Sequence, residues 1–551
     1  MKKTLLAFMM IVAVVMTTYG GGLLTNTNQS ATWVRLPARN ASTGIDAVYY
    51  NPAGLMKLEN GLHFSLSNQS IFQTREITND YSGPGGTYGL NEHVYKGTAK
   101  ALAFPSIYAV YKMEKLAISF GFNPVGGGGA ATFEKGLPSF ELSPSDLVPS
   151  LASQGATAYR LNAYFEGSSV FLGFQGGLSY KLSDWLSVGA GVRYVTAENT
   201  YNGYLKGIEL NMSGTWKRAD AVFSGIVANL NGLMAIPTSL QPLVTGGAGT
   251  LTLDQAAALG NPAFTPTNAA AIKTGLAAIG VSAAQANAMN LTQVQGAFTQ
   301  ATPTLTAKRN VAAATATLLV DQGADVEQSG KGITPFFSVN ISPSEKLNIG
   351  IKYEMATKLE LKNKTAKDFT TGYTSAGVPI TMFPNGGLTR NDMPAMLTLG
   401  IDYSLSTAWK LSVGSNYYFD KSADYGHKSG TTPLSNDEII DQNGLSLQLG
   451  LEWKLSDKFL LSSGYSWANK GVNAKYQSDL TYGLSTQTVG FGGGINLTKK
   501  IQFNLGVSNT FYKSDEKTID HILSGTTTNI PALETYKKNT FLFGIGLDFS
   551  F

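Results

Sequence analysis

The chain has 551 residues with 41 Lys+Arg against 37 Asp+Glu, so charged residues are 14% of it, where soluble globular chains carry about 25%. A net charge of +4 over this length offers no basic face for nucleic acid, and the absence of Cys excludes disulfides, thiolate metal sites and a Cys nucleophile.

In chain order, the basic Lys2 and Lys3 come first, followed by an uninterrupted apolar run, Leu5 to Met16, and by small residues at Thr18 and Gly20. The pattern predicts an exported chain with a cleaved signal peptide over 1–20. No other run approaches the ~18 apolar residues of a helical span, so no transmembrane helix is expected. Residues 21–57 lack sustained alternation and are punctuated by small residues, Gly and Pro, which predicts turns and short helices. Two readings stay open for this segment, an exposed periplasmic tail and a plug folded into a lumen.

From about Gly61 to the end, apolar residues recur with period two. Phe541, Phe543, Ile545, Leu547, Phe549 and Phe551 alternate with Gly544, Gly546, Asp548 and Ser550. The same holds for 186–194, 347–353, 445–453 and 501–507. Side chains alternate between the faces of a strand, so each segment has one apolar face and one polar or small face. The segments run to about ten residues or more, enough to cross a bilayer at a tilt. Aromatics stand near their ends (Tyr180, Trp185, Tyr353, Trp409, Trp453, Phe459), as an interfacial girdle requires. Six short connections (113–114, 183–184, 342–345, 406–408, 456–457, 498–500) alternate with seven long ones (76–95, 135–165, 207–330, 366–390, 421–441, 471–485, 514–537). Thirteen connections predict an all-β transmembrane antiparallel barrel of about fourteen strands over 58–551. The terminal Phe551 matches what barrel-assembly machinery reads.

Two segments depart from a plain barrel. The third strand, from Lys115 to Phe122, runs into Asn123, Pro124 and then Gly126, Gly127, Gly128 and Gly129. Pro has no ladder donor, and four glycines provide no side chain to fill the space. Either the strand ends at Pro124, or the pairing breaks and the wall opens sideways. The connection 207–330 has only Asp254 and Lys273 charged between Ala221 and Ala307. It predicts short helices folded over the barrel mouth with apolar surface outward: Ala269–Ile279 capped by Asn268, a turn group to Met289 capped by Ser282, and an Ala-rich helix over Asn310–Val320.

Nothing catalytic emerges. His63, His93, His427 and His521 are scattered without metal-ligand spacing, and no cofactor or metal is expected. Arg193 and Lys352 fall on inward parity and are possible contacts for a substrate carboxylate. Internal pairing with Glu354, Glu452 and Asp548 is the alternative role.

Tyr49-Tyr50-Asn51-Pro52-Ala53-Gly54-Leu55 after Ala38-Arg39-Asn40-Ala41-Ser42, together with Asp392-Met393-Pro394-Ala395-Met396-Leu397 at a strand start, resembles the outer-membrane long-chain fatty acid transporter family (FadL/TodX). The resemblance implies a monomeric barrel in the outer membrane and an N-terminal hatch over 21–57 centred on Asn51, Pro52, Ala53, Gly54 and Leu55. It implies a kink in the third strand, and passive uptake of hydrophobic compounds or fatty acids released through a lateral gap into outer-membrane lipid beneath the lipopolysaccharide. A hydrophilic porin or a surface adhesin is the alternative, and an enzyme is not expected.

Overall fold

The computed structural model describes residues 23, 25–83, 86, 88–374, 378–429, 432–523 and 527–551; the expected signal peptide lies outside them. Fourteen antiparallel strands close into one barrel. They are β1 (Gly61–Asn79), β2 (Val94–Lys112), β3 (Leu116–Phe133), β4 (Ala156–Lys181), β5 (Leu186–Met212) and β6 (Gln322–Ser344). Next come β7 (Leu347–Glu354, resumed at Glu360–Lys367) and β8 (Leu388–Arg390, resumed at Met396–Ser404). The circuit continues with β9 (Trp409–Tyr418), β10 (Gly444–Lys454), β11 (Phe459–Asn469), β12 (Thr486–Thr498), β13 (Ile501–Tyr512) and β14 (Asn529–Ser550). Each strand pairs with its chain neighbours, and β14 returns to β1 with Phe64 opposite Phe549 and Phe72 opposite Phe541.

The alternation decides which face meets lipid. Leu66, Phe120, Leu178, Val192, Phe337, Ile401, Leu449 and Phe543 are exposed, while their neighbours Ser67, Ser119, Ser179, Arg193 and Ser338 are buried. A continuous exposed apolar band on a closed barrel is stable only when a bilayer covers it. Tyr180, Trp185, Trp409, Trp453 and Phe459 gather at the short-turn rim, and Trp409 stacks on Trp453 with ring centroids 5.1 Å apart. Strands β4 and β5, 26 and 27 residues long, exceed the ~9–11 residues of a crossing and continue past the bilayer on the long-connection side.

The connection between β5 and β6 differs from the expectation. Two long helices, Ala219–Leu243 and Leu291–Leu318, pack against each other, with three short ones (Leu253–Ala257, Pro266–Ala278, Ala283–Ala288) between them. The predicted cap at Asn268 is displaced. Thr265 is the N-cap and Asn268 completes its capping box from the third helical position, since Pro266 suits the first turn. Ser282 caps its helix as expected, and Asn310–Val320 falls largely within the longer second helix. The insertion does not drape apolar surface over the mouth. Ile236, Leu240, Leu253, Leu276, Val294 and Phe298 turn inward to a core of their own, while its base, through Phe223 and Ala312 among others, packs on Leu147, Tyr159 and Leu210. The outward faces carry mostly Ala, Gly, Ser, Thr, Asn and Gln, with Leu259 an exposed apolar side chain between the short helices. The stretch Ala219–Ala248 is long and apolar enough by length and composition to cross a membrane. A search for uninterrupted apolar runs misses it, because Asn229 and Asn231 break the run.

Candidate functional site

The N-terminal segment settles against the inner face of the wall. Ser30 caps the helix Ala31–Arg35, and a second helix, Ala47–Tyr50, leads into a 3₁₀ turn over Pro52–Lys57. Nearly every residue from Ser30 to Met56 is buried. The turn is stitched to the wall through backbone groups. Ser179 donates to the Pro52 carbonyl (2.6 Å), Ser187 to that of Ala53 (2.8 Å), and the Ala53 amide donates to Ser338 (2.9 Å). The Asn51 amide donates to Asn340 (2.7 Å) and to the Ser42 carbonyl (3.2 Å). Leu55 is fully buried, and a Cβ on Gly54 would lie 2.4 Å from the Ser42 carbonyl oxygen. On the opposite wall, Arg35 reaches Glu452 (3.1 Å), Ser462 and Asn504 (3.2 Å). Asn40 donates to the Leu399 and Ser415 carbonyls, both at 3.0 Å. The inward glycines of β8 and β12 permit this approach: a Cβ on Gly400 would stand 2.3 Å from the Ala41 nitrogen, and one on Gly490 2.3 Å from the Val34 carbonyl.

Within the segment, Arg39 grips Asp46 with two hydrogen bonds (2.9 and 2.8 Å), and Ser30 and Ser42 donate to the same carboxylate. Burial pushes the Asp46 carboxyl up, but the Arg39 charge and these donors outweigh it and hold the group below its ordinary range.

Strand β3 meets the segment from the other side. Its ladder to β2 runs from Lys112/Ala117 to Ile107/Phe122, stops, and resumes only at Ala99/Ala131. Residues 100–106 of β2 and 123–130 of β3 have no register partner across that boundary, although β3 stays paired with β4 through Pro124/Leu172 and Gly126/Phe171. The freed stretch bonds inward. The Asn26 amide donates to the Val125 carbonyl (2.9 Å), Gln29 to that of Pro124 (2.7 Å), and Asn123 to the Gln29 side chain (2.7 Å). Val125 is buried with Tyr49, Tyr50 and Phe171. Gly127 has φ +97°, and a Cβ there would lie 2.3 Å from the Ser169 carbonyl; Gly129 has φ +67°. Gly126 and Gly128 carry no such φ, and Gly128 faces only the end of Arg75, 3.3 Å from where a Cβ would sit. Pro105, outside the sequence expectations, lies inside the unpaired stretch of β2. Its ring removes one more donor from the boundary.

The inward charges sort into two groups. Arg193 holds Glu354 in a two-pronged pair (2.8 and 2.9 Å), and Lys352 reaches the same carboxylate at 2.7 Å. Tyr49 covers both cations, with its ring centroid 4.9 Å from the Arg193 guanidinium and 4.4 Å from the Lys352 amine. The carboxylate these two residues meet is therefore that of Glu354, and the cluster anchors the N-terminal segment. Glu452 pairs with Arg35 and Lys410. Asp548 departs from the expected pairing: it makes no ion pair among the described residues and accepts the Asn504 amide at 2.8 Å.

The second group is Arg75 and Lys538, directly opposite each other on β1 and β14. Neither has a carboxylate partner among the described residues. Lys538 lies 3.8 Å from the Tyr482 ring centroid, and Arg75 bonds Gln73 beside Gly128. Above them Tyr482, Tyr536, Tyr95, Ala99, Ala131 and Phe133 belong to one apolar cluster. Both cations stand at the margins of the predicted strands, next to the connections 76–95 and 514–537. The inward parity of Gln73, Arg75, Ile77 and Asn79 was the available signal.

The histidines stay apart. His63 lies on β1 and His93 just before β2, while His521 bonds Asp146 at 2.9 Å and ties two long connections together. His427 packs between Tyr425 and Tyr476, and burial pushes its imidazole down to about 4. No group of three or more metal-ligating side chains occurs among the described residues.

No protein-family model and no curated protein matches the chain. Solved structures do. A FadL homologue of Pseudomonas aeruginosa superposes with a TM-score of 0.56 at 13% identity, over 96% of this chain and 100% of that one. The ΔS2S3 mutant of the monoaromatic hydrocarbon channel TodX gives 0.50 at 14% identity, over 96% and 100%. The chain is a fourteen-strand barrel of the FadL/TodX fold.

Proposed function

We propose that the protein is an outer-membrane channel for passive uptake of hydrophobic compounds, long-chain fatty acids or similar, with residues 21–57 as a luminal hatch. The observation that carries this reading is the interrupted β2–β3 ladder, whose freed strand is bonded to the N-terminal segment. Ligand enters the apolar cluster above Arg75 and Lys538, is stopped below by the hatch, and leaves sideways between 100–106 and 123–130 into the bilayer. The driving force is removal of apolar surface from water, about 25 cal/mol per Å², so no energy source is needed. The TodX barrel named above is described as a monoaromatic hydrocarbon channel, which favours an apolar cargo here. Lateral exit also spares the ligand a second passage through water.

The test is to fill the boundary from each side. Gly128→Trp is preferred to a change at Gly127, whose positive φ and close carbonyl would distort the strand. Ala101→Trp enters from β2, where its Cβ stands 4.0 Å from that of a residue built at Gly129. Each variant should assemble as a heat-modifiable barrel and lose most fatty-acid uptake in proteoliposomes. Full uptake by both would rule out lateral release.

A further inference from the structure

We propose that the outer wall carries a binding site for a membrane lipid with a phosphate headgroup, in a depression bounded by Lys331 and Lys362. The site lies on the lipid side of the barrel and is independent of whether the lumen conducts hydrophobic cargo.

The registers of β4, β5, β6 and β7 lay out this patch as a grid. The lowest row is apolar, Phe174 opposite Tyr194 and Tyr194 opposite Ile333. The next is mixed, Leu172 opposite Thr196 and Thr196 opposite Lys331. The top row runs Val170, Glu198, Ser329, Lys362. Within three rows the wall passes from bilayer-facing apolar residues to charged ones, which is the level of lipid headgroups.

At that level the wall is dented. Strand β6 pairs with β7 over 336–344 and again over 325–329, but not over 330–335. There β7 turns inward and buries Leu359 and Leu361, and Gly330 and Gly332 press against its backbone. The dent is a cavity of about 640 Å³ lined by Val170, Leu172, Tyr194, Glu198, Lys331 and Lys362, among others. Its floor fits acyl methylenes. Its rim holds two ammonium groups with no carboxylate partner among the described residues, although Lys364, on the same strand as Lys362, does pair with Glu327 at 2.9 Å. Ser168, Thr196 and Ser329 add hydroxyls that can donate to phosphate oxygens. Glu198 is the one charge of opposite sign in the lining, and it weakens the site for an anion.

Two amines above an apolar-lined groove match a phosphate carrying fatty chains, as in phosphatidic acid or a phosphorylated glycolipid. Native mass spectrometry of the full chain in a neutral detergent tests this, with phosphatidic acid, phosphatidylcholine of the same chains, and inorganic phosphate as probes. The expected result is preferential retention of phosphatidic acid, weakened about thirty-fold in K331Q/K362Q. Retention should be strengthened in E198Q and unchanged in K364Q. Equal binding of both lipids, or equal binding by wild type and K331Q/K362Q, would overturn the proposal. Displacement of phosphatidic acid by inorganic phosphate at similar concentrations would also overturn it, leaving a free-anion site.

Discussion

Asp46 and Arg39 are buried together, so their attraction offsets a large desolvation cost only while both are present. Replacing Arg39 with Met leaves a carboxylate facing Ser30 and Ser42 without a counter-charge. That should loosen the N-terminal segment by roughly 3–5 kcal/mol, seen as faster hydrogen exchange of the amides between 30 and 56 while the barrel remains heat-modifiable. The sign with pH follows from the lowered carboxyl in the folded state. This stabilisation is complete above the ordinary carboxylate range and is lost as pH falls through the depressed value, so the wild-type segment should loosen in acid. Arg75 and Lys538 pose a different problem, two cations facing each other with no carboxylate partner among the described residues. If a ligand carboxylate is the missing partner, Arg75→Gln with Lys538→Gln should weaken fatty-acid binding about ten- to a hundred-fold and leave a neutral aromatic hydrocarbon nearly unaffected. Calorimetry with both ligands measures the difference. An equal loss for both would assign the pair a structural role.

At the scale of elements, β3 and the helical insertion show how local sequence and packing divide the work. A proline and two glycines at positive φ keep β3 from pairing continuously with β2, while Asn26 and Gln29 of the N-terminal segment satisfy the freed carbonyls of Pro124, Val125 and Gly127. The insertion is self-contained, because its apolar residues find each other before they find the barrel. Deleting residues 228–310 and joining the two long helices with a short Gly-Ser link should therefore leave the base contacts of Phe223 and Ala312 intact. Heat modifiability of the shortened barrel should match that of the full chain, with a melting point within a few degrees. A large fall would mean that the insertion supports the barrel after all.

For the whole molecule, the decisive property is that the N-terminal segment bonds to several strands around the inner face. Arg35, Asn40 and Asn51 contact strands on different sides of the wall. A lumen plugged by the proposed hatch should not pass ions. In planar bilayers the intact protein should show no sustained conductance, whereas deletion of 25–57 should give stable open steps. Sustained conductance by the intact protein would favour the hydrophilic porin.

The sequence by itself determined the barrel. Period-two alternation, low charge and alternating short and long connections are local properties, and the fourteen strands follow from counting them. It also marked Pro124 and the glycines after it as unfit for a continuous ladder, since donor loss and backbone freedom are properties of single residues. It left open whether the strand ended there, and whether residues 21–57 lay inside or outside a lumen. Those questions depend on partners far along the chain: Asn340 for Asn51 and Glu452 for Arg35, 289 and 417 residues away. The same long range hid Arg75 and Lys538, which become a pair only when β14 closes against β1. Parity shows that a side chain points inward; only closure of the barrel decides what it meets there.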